Sequence, residues 1–283
     1  MEVRGLKRLF FTAVVLTLSL SLHCVSYAAP KSKLWDYWLP HDPASVERID
    51  HAVWNRFLKT YVVPGEDGIN RVNYGNVSKA DHENLKDYIT SLSRISVRAL
   101  NRAEQQAYWI NLYNALTVDV ILDHYPVKSI RDIDISPGWF ADGPWRKKLL
   151  TIEGMAIAID DIEHRILRPI WEDPKIHYAV NCAAIACPNL QVEAFTAENT
   201  EELLNKGAKE YVNHKRGVTI EDNKLKVSSI YKWFISDFGG NDEGVINHLK
   251  EYANRGLISE LEKIKRISSH DYDWALNGAE GKK

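Results

Sequence analysis

The densest group of reactive side chains in this sequence lies between His177 and Pro188. The segment reads HYAVNCAAIACP and holds Cys182 and Cys187. A cysteine thiol acts as a nucleophile when a histidine or a helix N-terminus lowers its pKa. Imidazole and thiolate are also ligands that zinc prefers in proteins. The segment therefore indicates thiol chemistry or a metal site, and a Cys182–Cys187 disulfide is a third alternative.

The spacing alone does not bring His177 and Cys182 together. The pattern predicts a strand over 176–181, and residues five apart in a strand face opposite sides. A catalytic pair from this strand needs a bend near Asn181; otherwise the base must come from elsewhere, and His164 is the candidate. A disulfide requires a tight loop, because five strand residues span about 16 Å and bridged Cα atoms lie roughly 4.4–6.8 Å apart.

Glu163 and His164 form a second group, in a short helix that Asp160 or Asp161 is expected to cap and that runs to Arg168. Adjacent helix positions point about 100° apart, so the two side chains need not act on the same atom. A carboxylate in a first helical turn is also expected from the helix dipole alone. Each residue therefore has a catalytic and a purely structural interpretation.

Elements of secondary structure must position these groups. The element with the clearest sequence pattern is a helix predicted over 101–123. Asn101 and Glu104 have the spacing of a capping box, and the apolar residues that follow leave almost no polar face, which is typical of a buried helix. Asn111 and Asn114 lie three apart and hence on one side of this helix. They either tie neighbouring loops to the core or position a substrate.

Short helices and hairpins make up the rest of the pattern. Alternating apolar residues predict hairpins over 148–159 and 218–227. Further helices are predicted over 46–61, 78–92, 196–214, 229–238 and 242–253. Because no regular βαβ alternation occurs, the sequence predicts the α+β class: a single mixed domain with a buried central helix, short strands and hairpins.

The chain begins with the pattern of a secretory signal peptide over 1–28. A basic start is followed by an apolar run and by small residues at Ser26 and Ala28, the −3 and −1 positions of a cleavage site. Cys24 belongs to this segment. We expect a periplasmic or secreted protein with no membrane span after cleavage, because no later apolar run is long enough. The expected parts of the mature chain are an N-terminal helical part over 29–98, a domain over 99–277 and a disordered tail over 278–283.

Composition and motifs limit the partners. The 283 residues include 36 Lys and Arg against 38 Asp and Glu, for a formal net charge of −2, and no basic block occurs, so nucleic acid is not an expected partner. No P-loop, dinucleotide-binding glycine motif or serine-hydrolase elbow occurs. An aromatic, glycine-rich loop over 137–145, with Trp139 and Trp145, is instead suited to contact a peptide, a glycan or a small molecule.

Several motifs, in order, resemble one family. They are AYWINLYNAL at 107–116, DIEHRILR at 161–168, HYAVNC at 177–182 and YDWALN at 272–277. They are similar to the domain of unknown function 547 family, which occurs in exported bacterial proteins and as a module in plant proteins. The resemblance implies a fold-sized unit over about 99–277 but no reaction. It also implies that the first cysteine, Cys182, matters beyond a disulfide, because plant members often lack the second.

Three hypotheses about function follow. The first is a periplasmic binding or interaction module with a polar pocket, in which Cys182 and Cys187 are a staple. The second is a thiol-dependent hydrolase or transferase with Cys182 as nucleophile. His164 or His177 would then be the base, and Glu163 would orient it. The third is a zinc-binding protein, although the spacing of the histidines, cysteines and carboxylate matches no tight zinc signature, so no cofactor is expected.

Overall fold

The computed structural model of the protein describes residues 30–138 and 142–279. The predicted signal peptide over 1–28, Trp139 of the aromatic loop and the end of the predicted tail lie outside the described residues. Ala279, within the predicted tail, donates a backbone hydrogen bond to Val72 at 2.9 Å. Within the described ranges, no helix combines the length and the hydropathy needed to cross a bilayer.

The fold belongs to the predicted α+β class: helices surround a buried central helix, and short strands form small sheets. The helices are α1 (Ala52–Tyr61), α2 (Lys79–Ser93), α3 (Arg102–His124), α4 (Ile159–Asp161), α5 (Arg168–Trp171), α6 (Thr200–Val212), α7 (Ile230–Trp233), α8 (Asp242–Tyr252) and α9 (Arg255–Leu261). The strands are β1 (Val62–Pro64), β2 (Asn70–Val72), β3 (Leu150–Ile152), β4 (Met155–Ile157), β5 (Val218–Glu221), β6 (Lys224–Ser228) and β7 (Ile267–Asp271). Strands β1–β2, β3–β4 and β5–β6 are antiparallel hairpins, and β7 adds to β6 in parallel.

The central helix α3 confirms the prediction from its capping pattern. The Asn101 side chain accepts a hydrogen bond from the Glu104 N–H at 3.0 Å, and most of the helix is buried. The Glu104 carboxylate does not return to Asn101; it accepts from the N–H of Ile49 at 2.8 Å. This bond and one from the Asn101 amide to the Ser45 carbonyl hold the chain before α1, which explains why α1 begins at Ala52 and not at 46 as predicted.

The predicted strand over 176–181 is wrong. Residues Pro174–Tyr178 form a short 3₁₀ helix, which begins where the Asp173 carboxylate accepts from the Lys175 N–H at 2.8 Å. The backbone that follows bonds to the side chain of Asn114 on α3 and not to a neighbouring strand. The chain therefore turns between His177 and Cys182, which is the bend that a shared site requires.

The helix that carries Glu163 and His164 continues past its predicted end. Between α4 and α5 it passes through a π-helical segment, Ile162–Leu167, a type of irregularity that is frequent at functional sites. Pro169 has no N–H to donate to the preceding turn. The carbonyls of His164 and Arg165 accept instead from the N–H groups of Lys33 and Trp35, both at 2.9 Å. The N-terminal segment thus completes the backbone hydrogen bonding of this helix.

Two hydrophobic clusters make up the interior. The larger one surrounds α3 and includes Trp38 and Trp54 from the N-terminal part, so that the predicted helical part over 29–98 shares a core with the rest. The smaller one joins α6, α7 and α8 to the sheet of β5, β6 and β7, around Tyr211 and Tyr231.

Candidate functional site

An open cavity of about 480 Å³ is lined by residues of both clusters. Four residues that the sequence analysis selected as candidates for catalysis line it together: Glu163, His164, His177 and Cys182. Trp145, the candidate for ligand binding from the aromatic loop, lines it as well. The volume lies within the range that holds small organic ligands.

His177 is held by a carboxylate. Its Nε2 lies 2.8 Å from Oδ2 of Asp237, and its Nδ1 lies 3.7 Å from Oε1 of Glu163. The guanidinium of Arg168 donates to both oxygens of Asp237, at 2.6 and 3.0 Å. Burial raises the pKa of Asp237, but the bonds from His177 and Arg168 outweigh it and keep the pKa well below its usual range. An ionised carboxylate only accepts, so His177 carries a proton on Nε2, and its Nδ1 faces Glu163.

Phe234 fixes the plane of the His177 ring. The two rings are stacked with centroids 4.4 Å apart, and the guanidinium carbon of Arg168 lies 4.6 Å from the centre of the same Phe234 ring. His177 is only 3% exposed. The imidazole is thus oriented by a hydrogen bond at its edge and by an aromatic ring against its face.

The hydrogen bonds of His164 differ from those of His177, because Nδ1 of His164 accepts a hydrogen bond from Arg168 at 3.0 Å. A guanidinium only donates, so the proton of the neutral His164 ring is on Nε2, which lies 3.8 Å from Oδ1 of Asp160. Burial lowers the pKa of His164 to about 4. At neutral pH His164 is therefore an uncharged hydrogen-bond donor without a free acceptor nitrogen.

Asp160 is a carboxyl group that holds a proton near neutral pH. Burial raises its pKa to about 7, and the charges of Glu163 and Asp161 act in the same direction. The charge of Arg146, which also lines the cavity, offsets part of this rise. The cavity therefore places a protonatable carboxyl group and the imidazole rings of His164 and His177 in one space, the kinds of groups that general acid–base catalysis uses.

Both cysteines line the cavity as free thiols and share one partner. The Tyr272 hydroxyl lies 3.1 Å from each sulfur, and the Cys182 N–H donates to the Cys187 sulfur at 2.9 Å. The loop between them is tight, as a disulfide would require: Ala183 has φ of 60°, and the Cys187 N–H bonds to the Ala184 carbonyl at 3.0 Å. Among the described residues, no hydrogen bond joins Cys182 to any of the three histidines that line the cavity, His164, His177 and His270.

Aromatic side chains form one side of the cavity, which we call the aromatic wall: Trp145, Trp233, Tyr272 and Trp274. Trp274 is central to it. Its ring centroid lies 5.7 Å from those of Trp145 and Trp233 and 4.7 Å from that of Tyr272. Such a surface offers large apolar faces to a ring or a flat chain of a ligand.

Asn111 and Asn114 lie outside the cavity lining, although they were candidates for substrate binding. Asn111 exchanges two hydrogen bonds with the backbone of Phe195, at 2.7 and 3.0 Å. Asn114 binds the Ala179 carbonyl and the Asn181 N–H, both at 2.8 Å. In the structure, these amides tie loops to the core. Asn114 also holds the turn that follows His177.

One group of described side chains brings three potential metal ligands within 4.8 Å of one another: His82, Asp119 and Asp123. Lys86 already donates to Asp123 at 2.8 Å and lies 3.1 Å from Asp119, so this group is a salt-bridge network. Among the described residues, no three histidine, cysteine or carboxylate side chains of the cavity bring ligand atoms within 4.8 Å of one another. Zinc binding stays a prediction from the sequence.

Residues 97–212 match a protein-family model whose description is "Protein of unknown function, DUF547". These residues belong to the DUF547 family. Comparisons with curated proteins and with solved structures found no significant match.

The DUF547 segment does not contain the whole cavity. It carries Glu163, His164, His177 and Cys182, and it ends at the last residue of α6. Asp237 and three members of the aromatic wall lie beyond it. The C-terminal part of the chain therefore supplies both the carboxylate that holds His177 and three of the four residues of the aromatic wall.

Sequence reasoning missed Asp237, Arg168 and the role of Asp160. Arg168 follows His164 by one helical turn, so an i, i+4 pairing was a signal available in the sequence. Asp237 lies 60 positions from His177, in no recognisable spacing. Asp160 was expected only as a helix cap, because nothing in the sequence indicates how deeply it is buried.

We expect the stability of the protein to fall in acid. His51, His164 and His248 are buried, and burial lowers the pKa of each to about 4. An unfolded histidine titrates near 6.5, so the stability is fully present above about pH 6.5 and is lost as the pH falls toward 4. The expected loss is about 1–3 kcal/mol for each histidine. Asp160 acts in the opposite direction, because its folded pKa is raised.

Urea denaturation at pH 7.5 and at pH 4.5 checks this expectation. His51 bonds to Tyr88 and lies outside the cavity lining, so His51→Gln provides a matched variant. In this variant, the free energy of unfolding at pH 7.5 should exceed that at pH 4.5 by less than in the wild type, and the reduction should equal the contribution of one histidine. Equal or greater stability at pH 4.5 would contradict the prediction.

Proposed function

We propose that the cavity is the active site of a hydrolase or transferase that acts on a small molecule, with His177 as general base. The observation that carries this proposal is the hydrogen bond from His177 to Asp237, which places a proton on Nε2 and turns Nδ1 toward Glu163. A base oriented by a carboxylate is the arrangement that activates nucleophiles in unrelated enzymes. Arg168 keeps that carboxylate ionised and in place.

The other polar groups of the cavity have complementary roles in this proposal. Asp160, with its raised pKa, would give a proton to the leaving group. The Nε2–H of His164 would donate a hydrogen bond to an oxygen on which negative charge develops, because its Nδ1 is occupied by Arg168. A water molecule or a substrate hydroxyl, from which His177 takes a proton, would be the nucleophile.

Cys182 is not the nucleophile in this proposal. Burial raises the pKa of its thiol, and the thiol hydrogen-bonds to the Tyr272 hydroxyl. An attacking thiol needs a base or another group that lowers its pKa, and no histidine is bonded to it in the part of the chain that the structure describes.

The aromatic wall favours binding as the first step and supports a second candidate function, a binding module without catalysis. A cavity of about 480 Å³ suits a small molecule, or one end of a glycan or peptide, rather than an extended chain.

We further propose that the protein works in the periplasm or outside the cell. That placement rests on the signal-peptide pattern over 1–28.

Incubation of the purified mature chain with a small-molecule cell extract, followed by mass spectrometry, tests the proposal. The wild type should consume at least one component in many turnovers. His177→Gln should consume the same component about 100 to 10,000 times more slowly, which is the usual contribution of a general base.

Two outcomes separate the candidate functions. Equal consumption by the wild type and by His177→Gln would contradict the role of His177. Depletion of a component only in stoichiometric amount, and recovery of it unchanged after denaturation of the protein, would leave binding as the function. Trp233→Leu should weaken retention in that case, because it removes a face of the aromatic wall.

A further inference from the structure

We infer that Cys182 and Cys187 form a redox-active pair that exchanges with low-molecular-weight disulfides and thiols entering the cavity. Both thiols line the cavity, and each lies 3.1 Å from the Tyr272 hydroxyl. The Cys182 N–H also donates to the Cys187 sulfur at 2.9 Å, which closes the tight loop that a disulfide between the two residues needs.

The loop does not need a disulfide to keep its shape. The N–H groups of Ile185 and Ala186 donate to the carbonyls of Ala275 and Asp273, at 2.8 and 3.1 Å. The N–H of Asn277 donates to the Ala183 carbonyl at 2.9 Å. These backbone bonds hold the loop against the segment that carries Tyr272. A disulfide that serves only as a staple is thus redundant here, whereas two thiols held on one hydroxyl are placed for exchange.

The two sulfurs differ in environment. Cys182 is partly exposed, whereas Cys187 is buried, with 3% exposure. The Cys187 sulfur accepts from the Cys182 N–H and from the Tyr272 hydroxyl. Burial raises the pKa of Cys187, but the hydrogen bonds from Cys182 and Tyr272 outweigh it and lower the pKa. Cys187 is therefore the better thiolate, and Cys182 is the sulfur that a ligand reaches.

The exchange consists of two successive attacks by a thiolate on a disulfide. The Cys187 thiolate takes the proton of the Cys182 thiol, and the Cys182 thiolate attacks one sulfur of a small disulfide. That S–S bond breaks, and the first small thiol leaves after it takes a proton from water. Cys187 then loses its proton to water and attacks Cys182, which releases the second small thiol as it is protonated. Two electrons pass from the protein to the small disulfide; of the two protons on the released thiols, one comes from the Cys182 thiol and the other from water.

Oxidised glutathione provides the probe for the test. The reduced mature chain is incubated with it, quenched with acid, alkylated with iodoacetamide and digested for mass spectrometry. The wild type should form the Cys182–Cys187 disulfide without a lasting adduct. Cys187→Ser should accumulate glutathione on Cys182, because the resolving thiol is absent. Cys182→Ser should form adduct at least tenfold more slowly.

Tyr272→Phe tests the role of the shared hydroxyl. Without the donor to Cys187, the reduced form is less stable, so the equilibrium with glutathione should move about fivefold toward the protein disulfide. Tyr37→Phe is the matched control, because its hydroxyl bonds to Glu153, away from the cysteines.

Three results would overturn the inference. They are equal adduct formation in the two serine variants, reaction only after urea denaturation, and a wild-type disulfide that reduced glutathione cannot open. The acid–base proposal and the cysteine proposal are tested independently. If the wild type and His177→Gln consume the extract components equally, the acid–base proposal is contradicted. The three results above contradict only the exchange at the cysteines.

Discussion

Asp237→Asn is expected to slow consumption of the substrate by about 100- to 10,000-fold. The asparagine keeps the size of the side chain but removes the negative charge that stabilises the imidazolium formed when His177 takes a proton. Arg168, whose side chain is 3% exposed, then lacks its counterion and opposes the same imidazolium. The measurement is the rate at which the variant consumes the extract component that the wild type converts.

Asp242→Asn is the matched control for that experiment. Asp242 also pairs with a cation, Lys232 at 2.9 Å, and it lies outside the cavity lining. Its variant should retain the wild-type rate. A wild-type rate for Asp237→Asn would mean that the bond between Asp237 and His177 serves only the fold.

Arg168→Met is expected to lower the free energy of unfolding by about 3–5 kcal/mol, because it leaves a partly buried carboxylate without its main partner. The guanidinium of Arg168 holds both oxygens of Asp237, Nδ1 of His164 and the carbonyl of Pro30. The substitution removes all of these bonds at once. Urea denaturation at pH 7 under reducing conditions measures the loss.

Arg165→Met provides the control on the same helix. Arg165 is 37% exposed and pairs with Asp161, so its loss should cost less than about 1 kcal/mol. Similar costs for the two variants would contradict the claim that Arg168 organises the buried network. The double variant Arg168→Met/Asp237→Asn should be less destabilised than the sum of the single variants, since the two residues share their interaction.

The elements that local sequence determines were predictable. Ser78 and Asn101 cap the N-termini of helices α2 and α3, and their side chains accept hydrogen bonds from the backbone as their positions predict. The hairpin of β5 and β6 likewise follows from alternation around a turn at Asp222 and Asn223, both with positive φ. Caps and turns depend on neighbours in sequence, so one sequence contains the necessary information.

Elements that depend on distant contacts were not predictable. The strand expected over 176–181 is a 3₁₀ helix and a turn, because Asp173 caps it and Asn114 takes the hydrogen bonds that a neighbouring strand would have taken. Asp237 reaches His177 only because the cluster around α7 packs beside the cluster around α3. The residue types and the family resemblance indicated the candidate residues, but not the carboxylate that holds the base.

The protonation state of His177 is the most direct test of the account. Nitrogen-15 NMR of the histidine side chains in the mature protein at pH 7 distinguishes the two ring nitrogens, and His177→Gln identifies the signals. We predict a proton on Nε2, as the bond to Asp237 requires, and none on Nδ1, as the proposed role of His177 as general base requires. A proton on Nδ1, in a neutral or a charged ring, would contradict the assignment of His177 as the base.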